Sequence, residues 1–174
     1  MSQSINLYNQ LANHKLFNKT VNFNLQRIKL ALKKLNHPER KLSNVIQIIG
    51  SDGKFSVLRA LRFFIEGNNQ TVSTHVSPSL VDIRERFWMG NRYLFHSEIK
   101  STIRLIEKLK IPLTIYEVLT LVFLINSSKR KNDFVIQEAG CLWRLDSNNV
   151  IDFPLLQVVV NINKQHLNFV KRKT

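Results

Sequence analysis

The chain has 174 residues, enough for one domain with a sizeable core, and its apolar fraction of 44% is ordinary for a globular protein. Its apolar runs fall short of the ~20 residues that span a bilayer, and its single cysteine, Cys141, excludes an internal disulfide framework. We therefore expect a cytoplasmic protein without a membrane partner.

The net charge of +14 would attract polyanions. Because the basic residues are scattered, solvated surfaces are the first interpretation, a dedicated polyanion site is the second, and nucleic acid is an unlikely partner.

Hydrophobic periodicity alternates between helix and strand along the chain. After a polar, weakly helical segment over 1–20, a clearer pattern begins near residue 22. One apolar face from Leu25 to Leu35 predicts a helix, with Asn24 as its N-cap and Pro38 beyond its end. Further helices are predicted over 56–66, 97–109 and 115–125, and a capping box of Thr114 and Glu117 begins the last one. Strands are predicted over Val45–Ile49, 71–75, 134–137 and 155–162, with a hairpin over 87–94.

The stretch after the first strand has the composition of a phosphate-binding loop. It comprises Gly50, Ser51, Asp52, Gly53, Lys54, Phe55 and Ser56. Backbone N–H groups converge in such a turn, and the dipole of the following helix favours an anion. The common G-x-x-x-x-G-K-[ST] spacing is not met, because the two glycines are too close and Phe55 separates Lys54 from Ser56. A solvated lysine at a helix start is the alternative interpretation of Lys54.

A polar cluster follows each of the four predicted buried strands. Residues 50–56 follow the first strand, 77–86 the second, Glu138 the third and His166 the fourth. Alternating buried strands and helices predict an α/β fold with a mainly parallel sheet. Ligands of such sheets bind beyond the carboxyl ends of the strands, so these four clusters predict a single site.

Five short motifs occur in order and at matching spacing to those of a known family. Residues 49–56 correspond to A-G-T-N-G-K-G-S, 76–86 to T-S-P-H-L-V-D-F-R-E-R, 116–120 to F-E-V-L-T, 138–151 to E-V-G-L-G-G-R-L-D-A-T-N-V-I and 160–166 to T-N-I-G-L-D-H. With 25–28 beside L-E-R-I, the chain resembles the folylpolyglutamate synthase/dihydrofolate synthase family of the Mur ligase superfamily. The resemblance implies a three-layer, P-loop-type, mainly parallel sheet flanked by helices, like the Mur ligase central domain.

The resemblance also implies an activity and the residues that perform it. Family members are ATP-dependent amide ligases that phosphorylate the carboxylate of dihydropteroate or folate and then add L-glutamate. By motif match, the loop 51–56 holds the phosphates of ATP, with Lys54 at the β and γ oxygens. The implied Mg²⁺ ligands are Ser77, Glu138 and His166, and the implied catalytic residues are Lys54, Glu138 and His166. Pterin and folate contacts are implied for Arg27, Ile28, Glu117, Arg144 and Asp146.

The resemblance begins near residue 22 and covers only part of the family's length. Family members continue into a C-terminal domain that binds glutamate. We therefore expect an N-terminal segment over 1–21 and a truncated ATP-binding ligase domain over 22–174, with a separate chain as one possible source of the missing domain. Asp52 replaces a family asparagine and Phe55 a family glycine, and we expect both changes to weaken nucleotide binding. The alternative function is a non-catalytic remnant that binds nucleotide or a partner.

Several of these residues also have an ordinary structural interpretation. Glu117 is at least as well explained as a capping-box carboxylate as by substrate contact. The run over 84–86 is equally well explained as mutually paired surface charges. His166 alone would be a structural histidine, and its place in the motif is what favours a role as metal ligand. A carboxylate at a strand end is harder to explain structurally, so for Glu138 the metal interpretation is favoured.

Overall fold

The fold was examined in a computed structural model that describes residues 2–15, 17, 23–141 and 143–164. The helices in this part of the chain are α1 Ser2–Ala12, α2 Leu25–Lys34, α3 Lys54–Gly67, α4 His96–Glu107 and α5 Ile115–Ser128. The strands are β1 Val45–Ile49, β2 Val72–His75, β3 Phe87–Met89, β4 Phe134–Glu138 and β5 Leu156–Val159. Short 3₁₀ turns lie at Pro38–Lys41, Ile83–Arg86 and Trp143–Leu145. Within the described ranges, no helix is long and apolar enough to cross a membrane.

The strands form one sheet in the order β3-β2-β4-β1-β5. All neighbouring pairs are parallel except β3, which runs antiparallel to β2 at the edge. This confirms the predicted α/β class with a mainly parallel sheet. Because the carboxyl ends of parallel strands meet at one edge, the loop after β1, Ser77 after β2 and Glu138 at the end of β4 come together.

Apolar layers cover the sheet on both faces. Along β1, Val45 belongs to the larger layer, while Ile46 and Ile48 belong to the smaller one. This alternation follows from the two-residue period of a strand. The larger layer is built with α1, α2, α4 and α5, and the smaller one with α3 through Leu58. Because apolar side chains pack against both faces of the sheet, β1 is apolar at nearly every position.

The predicted starts of α2 and α5 are confirmed by their capping contacts. The Asn24 side chain accepts a hydrogen bond from the Gln26 N–H at 2.7 Å. At the start of α5, the Glu117 N–H donates to the Thr114 hydroxyl at 3.2 Å, and the Thr114 N–H donates to Glu117 Oε2 at 2.6 Å. These reciprocal bonds satisfy N–H groups that have no partner inside the helix.

Two of the predicted boundaries that differ from the structure lie beside the phosphate loop. Helix α3 begins at Lys54 rather than Ser56, because Gly53 lies in the left-handed region at φ 79° and turns the chain into the helix. Strand β5 ends at Val159, and the residues after it run along the phosphate loop instead of extending the sheet. The predicted hairpin over 87–94 is short. Its second arm pairs with β3 through one antiparallel bridge, between Trp88 and Tyr93.

Candidate phosphate-binding and substrate-binding site

The loop after β1 depends on its two glycines. Gly50 has φ 139°, and a Cβ atom there would lie 2.7 Å from the backbone oxygen of Asn161. Gly53 has φ 79° and is the residue immediately before helix α3. Both conformations favour glycine, and Gly50 also allows a close backbone approach. The loop therefore ends at the N-terminus of α3, where the helix dipole favours an anion.

Lys54 lies inside this loop. It is the first residue of α3, and its Nζ donates to the backbone oxygens of Gly50 and Ser51, both at 2.9 Å. Burial raises the pKa of the Glu138 and Asp146 carboxyls, and the Lys54 charge opposes that rise in both. The structure therefore favours a lysine directed into the site over a solvated lysine at a helix start.

The segment after β5 contacts the same loop. The Asn161 side-chain oxygen accepts hydrogen bonds from the N–H groups of Ser51 at 3.2 Å and Asp52 at 2.8 Å. The Asn163 N–H donates to the Ser51 hydroxyl at 2.8 Å, and the Asn163 side-chain amide donates to Asp52 Oδ2 at 2.9 Å. An amide oxygen thus accepts from loop N–H groups that could receive a phosphate oxygen. The sequence prediction did not assign Asn161, although it lies two residues after β5, the strand beside β1. The predicted burial of that fourth strand is wrong, because β5 lies at the edge of the sheet and most of its residues are exposed.

Glu138 and Ser77, at the ends of β4 and β2, are in direct contact. The Ser77 backbone N–H donates to Glu138 Oε2 at 3.0 Å. Glu138 is 4% exposed, and this burial raises the pKa of its carboxyl. The Ser77 N–H and the charges of Lys54 and Arg86 oppose that rise. A buried carboxyl with a raised pKa, near two cations and at the end of a central strand, is typical of a functional site.

The chemistry of these two residues suits a magnesium ion. A serine hydroxyl and a carboxylate are hard oxygen donors, and Mg²⁺ in nucleotide sites combines one or two protein oxygens with waters and phosphates. In the part of the chain that the structure describes, no three histidine, cysteine, aspartate or glutamate side chains form a group able to hold a metal ion. The third predicted ligand, His166, lies outside the described residues. Ser77 and Glu138 therefore supply two oxygen donors beside the phosphate loop.

A cavity of about 430 Å³ opens next to Ser77, and Arg86 lines it. Arg86 is 8% exposed, and its Nε donates to the Tyr8 hydroxyl at 2.8 Å. Its buried Nη1 has no hydrogen-bond partner among the described residues. Because Arg86 lines the cavity and carries a positive charge, the cavity suits a ligand that carries a negative charge.

The predicted mutual pairing of residues 84–86 is wrong. Arg84 pairs with Asp82 at 3.0 Å, and Glu85 Oε2 accepts a hydrogen bond from the Leu80 N–H at 2.7 Å. Arg86 instead lies in the cavity. Sequence reasoning missed its role because three consecutive charged residues do not show which of them turns inward.

Comparison with known proteins finds relatives in both sequence and fold. The chain is 30% identical over 155 residues to a dihydrofolate synthase/folylpolyglutamate synthase of Bacillus subtilis, a match that covers 84% of this chain and 36% of that protein. Escherichia coli FolC in complex with DHPP and ADP superposes with a TM-score of 0.84 at 27% identity, covering 97% of this chain and 40% of that one. A bifunctional folylpolyglutamate synthase/dihydrofolate synthase with Mn, AMPPNP and L-glutamate bound gives a TM-score of 0.76 at 25% identity, with 82% and 35% covered. No protein-family model matches the chain.

The chain is a relative of the dihydrofolate synthase/folylpolyglutamate synthases. It matches an N-terminal portion of them and spans little more than a third of the length of the curated relatives it matches. The resemblance inferred from the five motifs is confirmed, and so is the predicted likeness to the Mur ligase fold.

The substrate contacts implied by the family motifs lie in different surroundings. Arg27 and Glu117 pair with each other, with Arg27 Nη2 3.1 Å from Glu117 Oε1. Ile28 is fully buried in the larger apolar layer, and Arg144 lies exposed on the 3₁₀ turn Trp143–Leu145. Of the five implied residues, Glu117 and Asp146 are the two in the described lining of the cavity. The capping interpretation of Glu117 and its position in the cavity are thus compatible.

Asp146 shapes the loop that follows β4. Its Oδ2 accepts hydrogen bonds from the N–H groups of Gly140 at 2.8 Å and Cys141 at 2.7 Å, and its Oδ1 accepts one from the Asn148 N–H at 2.8 Å. Burial raises the pKa of the carboxyl, and these three N–H groups oppose the rise. Asp146 therefore holds one wall of the cavity through backbone contacts.

The two departures from the family's loop motif differ in their structural effect. Phe55 lies in the first turn of α3 with its side chain 46% exposed and the Arg59 guanidinium 5.6 Å from its ring. Its backbone is helical, so a glycine is not required there by conformation. Asp52 is exposed and accepts a hydrogen bond from Asn163, which leaves a carboxylate at the mouth of the loop. We therefore expect Asp52, and not Phe55, to oppose a bound phosphate.

Proposed function

We propose that this chain forms the nucleotide and folate side of an ATP-dependent amide ligase of folate metabolism. In that reaction the γ-phosphoryl group of ATP moves to the carboxylate of dihydropteroate or folate, giving an acyl phosphate and ADP. The amine of L-glutamate then displaces phosphate and leaves an amide. The observation that carries the proposal is the shared sheet edge, where the phosphate loop, the Ser77–Glu138 pair and the Arg86 cavity adjoin.

Each residue has a role that follows from its position. Lys54 neutralises the β and γ oxygens of ATP, as a lysine in a phosphate loop does. Ser77 and Glu138 would hold Mg²⁺ through their oxygen donors, and the ion would supply positive charge that stabilises the transferred phosphoryl group. Arg86 binds a negative group of the folate-side substrate in the cavity, and Glu117 and Asp146 shape its walls. Catalysis by such a site is mainly positioning and charge stabilisation.

The ligands named in the two superposed structures support this assignment. One was determined with DHPP and ADP, and the other with Mn, AMPPNP and L-glutamate. For this chain they support ATP, a divalent cation, a folate-side substrate and glutamate as ligands. We also propose a cytoplasmic location, because the proposed reaction uses ATP.

The reaction of the whole enzyme needs more protein than the matched portion. The chain spans 36% of its Bacillus subtilis relative, so we propose that glutamate binding depends on polypeptide outside the matched portion. A second candidate function is a nucleotide-binding or interaction module without turnover. The contact of Asn161 with the loop N–H groups favours it, because that contact competes with a phosphate.

Calorimetric titration with Mg·ATP tests the nucleotide site. We expect the chain to bind Mg·ATP and Lys54→Ala to lower the affinity about tenfold or more, since one charge-assisted contact contributes ~1.5–3 kcal/mol. Lys29→Ala, which removes an exposed lysine of α2, is the matched control and should bind like the unaltered chain. A folded chain that shows no binding at millimolar Mg·ATP would contradict the proposal.

Trapping of the acyl phosphate separates the ligase from the binding module. Incubation with ATP, dihydropteroate and hydroxylamine should yield the hydroxamate of the substrate, because hydroxylamine attacks an acyl phosphate without glutamate. Nucleotide binding without hydroxamate, in the presence of a polypeptide that supplies the rest of the ligase, would favour the module.

A further inference from the structure

Asn148 contacts Glu138, one of the two residues proposed to hold the divalent cation. It is fully buried in the turn that follows Asp146. Its Nδ2 donates to the backbone oxygen of Glu138 at 2.8 Å and to the Tyr116 hydroxyl at 2.9 Å. One amide group therefore contacts the end of β4 and the start of α5 at the same time.

The orientation of this amide is determined by its partners. A backbone carbonyl can only accept, so the NH₂ group of Asn148 must face Glu138. Its oxygen then faces His75 Nδ1 at 3.2 Å and the Gln137 side-chain amide at 3.4 Å, and both can donate. His75 is buried with Phe87 and Phe123 stacked at 5.6 and 5.1 Å, which holds the acceptor side of Asn148 in place.

The contacts of Asn148 continue into a closed circuit. The Tyr116 hydroxyl interacts with the Ser77 side chain, and the Ser77 N–H donates to Glu138 Oε2 at 3.0 Å. Asn148 thus holds Glu138 directly through its backbone and Ser77 indirectly through Tyr116. These buried contacts connect the backbone of Glu138 with Ser77 through Tyr116, so they hold the two oxygen donors relative to each other.

The side chain at position 148 determines whether this circuit can close. The family motif that matches residues 138–151 has a threonine at this position, and a threonine hydroxyl carries one proton. It cannot donate to the Glu138 carbonyl and the Tyr116 hydroxyl together. The circuit is therefore a property of asparagine in this chain.

We propose that Asn148 is a positioning residue that sets Ser77 and Glu138 for a divalent cation, an inference that rests on the proposed function. Groups that hydrogen-bond to metal ligands fix their orientation, and losing one typically lowers metal affinity 10–100-fold. Asn148 does not touch the cation. It acts through Tyr116 and through the backbone of Glu138.

Nucleotide affinity measured with and without Mn²⁺ tests this role in the full chain. The ratio of the two ATP affinities reports the contribution of the cation, and the metal-free affinity reports the phosphate loop. Asn148→Leu removes both donors at similar size, and we expect it to lower the ratio about tenfold while the metal-free affinity stays unchanged. Asn148→Thr restores one donor and should give an intermediate ratio. Asn149→Ala, next in the chain, is the control and should keep the full ratio.

Tyr116→Phe covers the case in which Asn148→Leu fails to fold. It removes only the hydroxyl link to Ser77, keeps the ring, and should lower the ratio severalfold. Folded Asn148→Leu or Tyr116→Phe chains with an unchanged ratio would overturn the inference and leave the proposed function intact. Equal loss of the metal-free and metal-bound affinities would also overturn it, because a general structural defect acts on both. A wild-type chain that binds no ATP with Mn²⁺ would overturn the proposed function and this inference together.

Discussion

Helices α3 and α5 are both 14 residues long, and they cover opposite faces of the same sheet in different ways. In α5 every residue from Glu117 to Ser127 is buried, whereas in α3 Leu58 is the buried residue. Phe63 and Phe64 of α3 are 55% and 71% exposed. The comparison shows that α5 belongs to the core, while α3 is held mainly by its contact with the strands and by the turn at its start.

The difference also separates stability from ligand binding. The N-terminus of α5 carries a capping box, in which protein groups satisfy the first N–H groups. The N-terminus of α3 follows Gly53, has no side-chain cap, and adjoins the phosphate loop. A helix end without a cap is available to an anion, and a capped one is not.

The largest expected effect is a loss of stability when a core residue of α5 is truncated. Phe123→Ala removes a fully buried ring of α5 and should lower the free energy of unfolding by about 3–5 kcal/mol. Phe64→Ala, the matched change in α3, should stay within about 0.5 kcal/mol, because that ring is mostly exposed. Urea unfolding followed by circular dichroism measures both. Similar losses for the two variants would show that α3 is covered as thoroughly as α5.

A second prediction concerns pH on the α5 side of the sheet. Burial lowers the pKa of His75 from 6.5 to about 3, and the Arg86 charge adds to this shift. Between these values the unfolded chain binds a proton that the folded chain excludes, so stability falls as the pH drops below 6.5. From pH 7.5 to pH 5 we expect a loss of about 2 kcal/mol from this group.

Unfolding of His75→Phe over the same pH range is the test of that assignment. The variant should lose the part of the pH dependence that lies between pH 7.5 and 5. Glu98 does not interfere in this range, because its pKa is lowered to about 2 by Arg92 and it affects stability only in more acidic solution. An identical pH dependence in both chains would contradict the assignment to His75.

The smallest expected effect lies at the start of α3. Phe55→Gly should change the Mg·ATP affinity less than twofold, because the Phe55 ring is directed towards Arg59 and not into the loop. Asp52→Asn should raise the affinity severalfold, since it removes a negative charge from the mouth of the loop. Calorimetry on the two single variants separates the effects. A large gain from Phe55→Gly alone would show that the ring blocks the phosphate.

Local patterns predicted most of the fold. The apolar run of β1, the Asn24 cap and the Thr114–Glu117 capping box each depend on neighbours in sequence, and the structure confirms all three. The convergence of Ser77, Glu138 and the loop also followed, because parallel strands place their carboxyl ends at one edge.

Contacts between distant residues could not be predicted in the same way. The burial of Arg86 depends on Tyr8 of α1, and the contact of Asn161 with the loop depends on how β5 ends. Both involve pairs of residues separated by long stretches of chain, and no local pattern specifies them. The different cover of α3 and α5 is also tertiary, because the exposure of Phe64 depends on what packs against α3.

The contact between Asn161 and the phosphate loop changes how binding there should be understood. Because the Ser51 and Asp52 N–H groups already have an acceptor, the loop keeps its shape without a ligand. A phosphate that enters exchanges one acceptor for another, so its binding energy is a difference between two sets of hydrogen bonds. The loop is already ordered in the folded chain, so nucleotide binding does not carry the entropic cost of ordering it. Nucleotide would then compete with the segment after β5 for the loop N–H groups. The mobility of that segment would therefore report whether a nucleotide occupies the loop.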